Sequence, residues 1–222
     1  MTRSVPLALA SLVLFVGTVY AAPRPERLRG TIESVDAGSV TIRTRDGKSE
    51  TVSIGGTRLV SVVPSSLDAV KDGAFIGTAT KGENPMTALE VVVFPESMRG
   101  TAEGYYGWDT IPDTLAGGTA VESAMTNGTV KAGPPVVESA MTNGTVAGSA
   151  DAGGEKTLTV TFGKEGSKTI VVPRQAPIVA FEPADAAILK PGSKVFAVGT
   201  RDGSTFQARM VAVGKDGLTP PM

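Results

Sequence analysis

The 222-residue chain contains no cysteine and no histidine. Without cysteine it can form no disulfide and can offer no thiolate to a metal ion. Without histidine, a serine nucleophile has no imidazole base, and zinc loses its commonest nitrogen ligand. We therefore expect no metal site, no cofactor and no catalytic residue of these classes.

Motifs for phosphate and dinucleotide binding are also missing, since there is no Gly-x4-Gly-Lys and no Gly-x-Gly-x-x-Gly after a strand. Glu96, Glu103, Asp109 and Asp113 are close enough in sequence to form the carboxylate pair of a glycosidase. Acids in a surface loop are usually just solvated, so a cell-wall glycan hydrolase is the weakest of three functional hypotheses. We expect a protein that is not an enzyme.

Excess positive charge is missing too, because 21 Lys and Arg residues stand against 22 Asp and Glu residues. Loss of an N-terminal segment with Arg3 would leave 20 basic residues, so the mature chain is slightly acidic. Nucleic-acid partners require a basic face, and we expect none. Arg43, Arg45 and Lys48 form a short basic strip, which we interpret as the solvated face of a half-buried strand.

The chain begins with one positive charge, Arg3, followed by an uncharged and mostly apolar stretch of eighteen residues. Small residues before Pro23 fit a signal-peptidase site, with cleavage after Ala21 or Ala22. Residues 1–22 are therefore predicted to be a signal peptide, and the mature protein to be periplasmic without stable membrane insertion. The alternative is an uncleaved anchor, since such a stretch is just long enough to span a bilayer.

Glycine (27 residues) and proline (15) are frequent, and long apolar stripes with a 3.6-residue period are missing. This combination is typical of short strands and many turns. In the first half, Val40 and Ile42 alternate with polar residues, and Asp46-Gly47 is a two-residue hairpin signal. Five predicted strands, with a short helix within 65–73 after the third, give the order of an OB-type barrel.

The same order returns in the second half, with a short helix predicted within 184–192. The predicted fold is all-β and consists of two tandem OB-like barrels of five strands each. A single ten-stranded sandwich is the alternative. The predicted domains are the signal peptide at 1–22, barrel 1 at 30–98, a Gly/Pro-rich linker at 99–143, barrel 2 at 144–215 and a tail at 216–222.

Ten residues, VESAMTNGTV, occur twice without change, at 121–130 and 137–146. The second copy leads directly into the predicted barrel 2, whereas Pro134-Pro135 follow the first copy and cannot donate ladder hydrogen bonds. We interpret the first copy as slack in the linker, tolerated because long surface connections cost little entropy. The alternatives are a doubled ligand motif and competition of both copies for one strand position.

The mature chain has two tyrosines and one tryptophan, and all three lie within 104–109. Rings with hydrogen-bonding edges, flanked by charges and glycine turns, are typical of a ligand-contact loop. The alternative is that these rings anchor the linker to a barrel. The phenylalanines of the mature chain are expected in the core. The predicted ligand-binding residues are Arg99, Glu103, Tyr105, Tyr106, Trp108 and Asp109.

The segments RGTIESVD, FPESMRGTAEGYYGWD, SAMTNGTV and VGKDGLTPPM resemble a family of exported alphaproteobacterial proteins of unknown function. The resemblance covers nearly all of the mature chain, and it implies a periplasmic location and tandem OB-like domains but no reaction. Members are often labelled metal ABC transporter permeases, a label that does not fit a chain without a set of membrane-spanning helices. Where that family often has a histidine, this chain has Tyr105-Tyr106, so no metal role carries over.

The favoured hypothesis is a non-enzymatic periplasmic binding or interaction module of unknown ligand, which uses the 99–113 loop and the groove between the barrels. The second hypothesis is a structural or accessory cell-envelope protein that acts through a protein partner. The expected partner is therefore a small molecule or an envelope protein.

Excision of Ala124–Ser139 removes one sixteen-residue repeat unit and leaves one copy of the ten residues. If the first copy is slack, we expect an unchanged melting temperature, because the remaining copy still begins barrel 2. Thermal unfolding followed by circular dichroism measures this. A fall of many degrees would contradict the interpretation.

Overall fold

The structure of the protein, a computed structural model, describes residues 25–83, 85–131, 155–164 and 166–221. The predicted signal peptide and the second copy of the ten-residue repeat lie outside these ranges. Within them the protein is all-β, as predicted, and its helices are 3₁₀ turns of three residues. None of these described helices is long and apolar enough to cross a membrane.

The described ranges contain fifteen strands, thirteen in one large mixed sheet and two in a separate small hairpin. In chain order they are β1 Glu26–Asp36, β2 Ser39–Thr44, β3 Ser49–Ser53, β4 Arg58–Pro64, β5 Phe75–Lys81, β6 Met86–Val93, β7 Gly104–Gly107, β8 Ile111–Pro112, β9 Ala120–Val121, β10 Ala124–Lys131, β11 Lys156–Phe162, β12 Gly166–Val172, β13 Ile178–Pro183, β14 Lys194–Asp202 and β15 Thr205–Gly214.

The two segments predicted to contain short helices each form one 3₁₀ turn, Leu67–Ala69 and Ala186–Ile188. Asp185 caps the second turn, because its carboxylate accepts a hydrogen bond of 2.8 Å from a backbone N–H two residues on. Gly73 (φ 79°) and Gly192 (φ 89°) follow the two turns in a conformation that few other residues adopt. Two further 3₁₀ turns lie at 96–98 and 215–217.

Five strands close on themselves in the order β1-β2-β3-β15-β14, with β14 paired back to β1. In this circuit, β3 and β15 run parallel and the other neighbours run antiparallel. We call it circuit A. Its interior is filled by apolar side chains from all five strands and from the end of the second 3₁₀ turn: Ile32, Val40, Ile42, Val52, Leu189, Val195, Ala197, Phe206, Ala208, Val211 and Val213.

A second set of five strands closes in the order β10-β11-β12-β6-β5, with β5 paired back to β10. Here β12 and β6 are the parallel pair. We call this set circuit B. Its interior is filled in the same way, with one residue directly after the first 3₁₀ turn and one from the loop between β12 and β13: Val70, Ile76, Met86, Ala88, Val91, Val130, Leu158, Val160, Ile170, Val172 and Ala176.

Each circuit draws its strands from both halves of the chain, which corrects our prediction of two tandem barrels. The predicted barrel 1 region supplies β1, β2 and β3 to circuit A but β5 and β6 to circuit B. The closing strands of circuit A, β14 and β15, come from the predicted barrel 2 region. The two repeats have the same order of strands, so their edges offer equivalent partners. The last two strands of either repeat can therefore close a circuit with the first three strands of either repeat.

Two strands that our sequence interpretation omitted, β4 and β13, carry the chain from one circuit to the other. They pair antiparallel with Val62 opposite Phe181, while β4 runs parallel to β15 and β13 runs parallel to β6. Val62 and Phe181 are equivalent positions of the two repeats. The β4–β13 ladder therefore has a local two-fold pseudosymmetry centred on this pair. Pro64 and Pro183 end these strands. Because proline is disfavoured within a sheet, both segments were interpreted as parts of loops.

The first copy of the ten-residue repeat contributes a strand and is not slack, which corrects our interpretation. Its Ala124–Val130 forms most of β10, between β5 on one side and β7 and β11 on the other. A Cβ on Gly128 would lie 2.3 Å from the carbonyl oxygen of Thr161, and one on Gly30 would lie 2.1 Å from that of Arg43. The repeated Gly-Thr-apolar start therefore marks a close crossing of two strands that only glycine permits.

Residues 94–123, between β6 and β10, form an insertion that covers one side of circuit B. Within it, β7 pairs with the first half of β10, and β8 pairs with β9. Ile111 of the insertion packs in a small core with Ala79, Leu89 and Met125 of circuit B. The predicted ligand-binding residues all belong to this insertion.

The excision of Ala124–Ser139 is still expected to leave the stability unchanged, but for a different reason. In that variant the remaining copy follows Ser123 directly and has every residue of β10 except Lys131. Point variants of the two copies therefore separate the two interpretations better than the excision does.

Gly128→Val is expected to lower the free energy of unfolding by about 1–3 kcal/mol, because the side chain overpacks the crossing of β10 with β11. The second copy provides a matched control, Gly144→Val, in the same ten-residue context. Denaturant unfolding of both variants measures the difference. Equal losses, or a loss in Gly144→Val alone, would contradict the assignment of the first copy to β10.

Candidate functional site

A groove of about 1000 Å³ lies between the two circuits and the insertion. We call it the central groove. A groove of this volume with mostly apolar walls is typical of small-molecule sites. Its walls contain five aromatic rings and three methionines, Phe94, Tyr106, Trp108, Phe181, Phe196, Met98, Met125 and Met210.

Trp108 joins the insertion to circuit A at the edge of the groove. The Arg27 guanidinium lies over the indole, with its carbon 3.7 Å from the ring centroid, which is a cation–π distance. The indole is also packed at 6.1 Å from the Tyr106 ring and 6.3 Å from the Phe196 ring, measured between centroids. Trp108 therefore both lines the groove and holds the insertion in place.

The two tyrosines of β7 point to opposite faces, because successive strand residues alternate. Tyr106 lines the groove, and its hydroxyl donates a hydrogen bond of 3.3 Å to the Ala102 carbonyl. Burial raises the pKa of Tyr106 above its usual value and so disfavours ionisation of the hydroxyl further. Tyr105 is 41% exposed on the other face, where the Lys168 ammonium lies 4.2 Å from its ring centroid.

Asp109 positions a side chain of the groove wall through its ion pairs with two arginines. Its Oδ1 accepts a hydrogen bond of 2.8 Å from Arg27, and its Oδ2 forms an ion pair of 2.7 Å with Arg29. Both arginines belong to β1 of circuit A, so the carboxylate ties the insertion to that circuit. It also fixes the Arg27 guanidinium over Trp108. Asp109 is thus a positioning residue for the groove wall.

Arg99 and Glu103 do not line the groove but fasten the loop between them to the circuits. The Arg99 guanidinium donates to Glu96, to Thr129 Oγ1 at 3.0 Å and to the Gly73 carbonyl at 2.8 Å. Its hydrogen bond with Glu96 raises the pKa of Arg99 further. Glu103 Oε1 accepts a hydrogen bond of 2.9 Å from a backbone N–H at position 163. Both residues are engaged in structural contacts.

Asn127 of β10 is a groove residue that our sequence analysis missed. Its Nδ2 donates to the carbonyls of Thr101 and Ala102, at 3.3 and 3.1 Å, and so holds the insertion loop. Ala102 has a φ of 46°, a left-handed conformation that is unfavourable for alanine. In the sequence, Asn127 begins an Asn-Gly-Thr triplet, which is formally a glycosylation acceptor and does not point to a groove.

Two buried polar atoms of groove residues have no hydrogen-bond partner among the described residues, Asn127 Oδ1 and Trp108 Nε1. Asn127 is only 5% exposed. Room for its amide depends on Gly77, because a Cβ there would lie 2.5 Å from Asn127 Oδ1. An unpaired buried polar group costs about 1–3 kcal/mol, and such groups are often found at functional sites.

Arg58 and Arg209 also line the groove, and sequence reasoning did not identify them. Arg58 is paired in register with Met210 across the β4–β15 ladder. Arg209 is the extra residue of a β-bulge in β15, because Met210 pairs with Val198 while the next pair skips position 209. Bulges are frequent beside functional sites because they re-aim a side chain.

The four acids that could have formed a glycosidase pair are held by separate partners. Glu96 is bound by Arg99, and Asp113 is bound by Lys81 at 2.5 Å. Asp109 and Glu103 have the arginine and backbone partners described above. In the part of the chain that the structure describes, no cluster of three or more acids, histidines or cysteines could hold a metal ion.

Of the basic strip predicted on barrel 1, Arg43 lies in β2, and Arg45 and Lys48 lie between β2 and β3. Arg43 forms an exposed ion pair of 2.6 Å with Glu33, and Arg45 is exposed as well. Partial desolvation of the guanidinium lowers the pKa of Arg45, and the nearby positive charge of Arg29 lowers it further. Arg43 and Arg45 line a pocket of about 280 Å³ that shares no residue with the central groove.

Comparisons of the chain with protein-family models, with curated proteins and with solved structures find no match.

Asp113→Asn is expected to lower the melting temperature at pH 7, because the Lys81 ammonium and the backbone N–H of Leu115 both bind the carboxylate. These hydrogen bonds hold the pKa of Asp113 below its usual value. The carboxylate therefore stabilises the folded state above the unfolded-state pKa, and this contribution disappears as the pH falls through the folded-state pKa.

Thermal unfolding of the wild type and the variant between pH 7 and pH 2 measures this difference. We expect the gap in melting temperature to close as the pH falls. Asp36→Asn, at the exposed end of β1, is the matched control and should show little change. A gap that stays constant with pH would contradict the assignment.

Proposed function

We propose that the protein is a non-enzymatic binding module of the periplasm and that its ligand occupies the central groove. The periplasmic location rests on the N-terminal sequence, with its single arginine and apolar stretch before Pro23. We further propose that both circuits are OB-like barrels, each with its parallel pair between the third strand of one repeat and the last strand of the other.

The observation that carries this proposal is the combination of a large groove with unpaired polar atoms in its wall. The groove has a volume of about 1000 Å³ and is lined mainly by aromatic and aliphatic side chains. Asn127 Oδ1 and Trp108 Nε1 lack hydrogen-bond partners among the described residues. A few polar groups within apolar walls are what orient a bound small molecule.

The rigid surroundings of the groove also favour a binding role. Its walls come from circuit A, from circuit B and from the insertion, and these parts are tied together by the contacts of Asp109 and Asn127. The Ala102 backbone is held in an unfavourable conformation by the same contacts. A groove held open in this way binds a ligand at a lower entropic cost.

The alternative, an accessory envelope protein that acts through a protein partner, has less support. Closed strand circuits leave few free edges to which a partner strand could add. Val35 and Tyr105 are the large apolar residues exposed in the described ranges, and they belong to β1 and β7. The groove is therefore the better candidate for a contact surface.

The test uses N-phenyl-1-naphthylamine, a neutral apolar dye that fluoresces when it leaves water. Trp108 is the single tryptophan and lines the groove, so dye bound there quenches its emission by energy transfer. We expect saturable binding in the micromolar range with quenching of Trp108. Val198→Phe, which narrows the groove, should weaken binding about tenfold.

Val35→Phe is the matched control, since it adds the same atoms at an exposed position outside the groove. Its dye affinity should equal that of the wild type. If the dye does not bind, or if both variants bind it like the wild type, the central groove is not the binding site.

A further inference from the structure

We propose that the ligand of the central groove is an organic anion, with one acidic head group bound by Arg58 and Arg209 and an apolar body that lies against circuit B and the insertion. This inference rests on the proposed function and adds to it the chemical class of the ligand. It requires no metal ion, cofactor or reaction.

The charge of the groove points to an anion. Three arginines, Arg27, Arg58 and Arg209, are among its lining residues, and no Asp or Glu lines it in the described ranges. The chain as a whole carries a net charge of −1. The positive charge is therefore concentrated in the groove and is not a property of the whole chain. Such a groove attracts negatively charged ligands by charge complementarity.

Only part of this positive charge is already neutralised. Arg27 is bound to Asp109 and stacked on Trp108. Arg58 and Arg209 are both exposed, and neither forms an ion pair or a side-chain hydrogen bond with another described residue. They are the cations that remain available to a ligand.

The fold brings these two arginines together at one side of the groove. The Thr57 hydroxyl donates a hydrogen bond of 2.8 Å to the Ala208 carbonyl, which fixes the start of β4 against β15. Arg58 follows Thr57, and Arg209 follows Ala208 as the bulge residue. Two guanidinium groups on adjacent strands can share one carboxylate, sulfonate or phosphate group.

The other side of the groove is neutral. A bulge in circuit B, at the position equivalent to Arg209, presents Leu89, which is buried in the small core under the insertion. Circuit B and the insertion line the groove with uncharged residues such as Phe94, Met98 and Tyr106. Methionine and aromatic walls adapt to apolar bodies of different shape. The free cations therefore lie on the side of circuit A alone.

The experiment compares two dyes that share the phenyl-naphthylamine rings, 1-anilinonaphthalene-8-sulfonate and neutral N-phenyl-1-naphthylamine. The purified protein is titrated with each dye, and quenching of Trp108 reports occupancy of the groove. We expect the sulfonate to bind more tightly than the neutral dye. The double variant R58Q/R209Q should lose about tenfold in affinity for the sulfonate and keep its affinity for the neutral dye.

R174Q/K164Q is the matched control for net charge, because it also removes two positive charges, and both residues are exposed in turns and do not line the groove. It should leave the affinities for both dyes unchanged. Retained sulfonate affinity in R58Q/R209Q, with the neutral dye still bound, would overturn the anion proposal and leave the binding site standing. If the wild type binds neither dye, the proposed function itself is overturned.

Competition for the bound sulfonate dye distinguishes the possible head groups. Decanoate and decyl phosphate carry the same chain with a carboxylate or a phosphate, and 1-decanol is the uncharged counterpart. Displacement by either anion at concentrations where decanol has no effect supports the proposal and identifies the preferred head group. Equal displacement by decanol would contradict it.

Discussion

The antiparallel pairing of β4 with β13 links the two halves of the chain, since each strand leads its half from one circuit into the other. Val62 and Phe181, equivalent in the two repeats, face each other at its centre. On its other edge, β4 is hydrogen-bonded to β15 of circuit A, and β13 is hydrogen-bonded in the same way to β6 of circuit B. Neither circuit closes without strands from both halves, so the two circuits are expected to fold together.

This exchange also creates the groove, because it sets the two circuits side by side with the ends of β4 and β13 between them. The insertion then breaks the symmetry. Position 77 in circuit B is a glycine, which leaves room for Asn127, whereas the equivalent position in circuit A is Phe196, which packs on Trp108. One wall is therefore neutral and closed by the insertion, and the other carries the arginines.

Much of the local structure could be predicted from sequence, because alternation and turn residues such as Asp46-Gly47 act over a few positions. Strand exchange could not, since the closing strands of each repeat fit either partner set equally well. The two identical repeat copies likewise gave no basis for choosing which one forms β10. In the site, ring chemistry singled out Tyr106 and Trp108. Arg209 and Asn127 were missed because a bulge and a distant loop give them their roles.

The exchange of strands between the halves can be tested directly by cysteine pairs in this cysteine-free chain. Ser53 of β3 is paired with Gln207 of β15. In tandem barrels Ser53 would instead be paired with Thr87 of β6, which in this structure is the partner of Val171, the residue equivalent to Ser53 in the second repeat. We expect Ser53→Cys/Gln207→Cys to form an intramolecular disulfide on mild oxidation and Ser53→Cys/Thr87→Cys to remain reduced, as measured by mass spectrometry of the monomer. The opposite pattern would show that each half closes its own barrel.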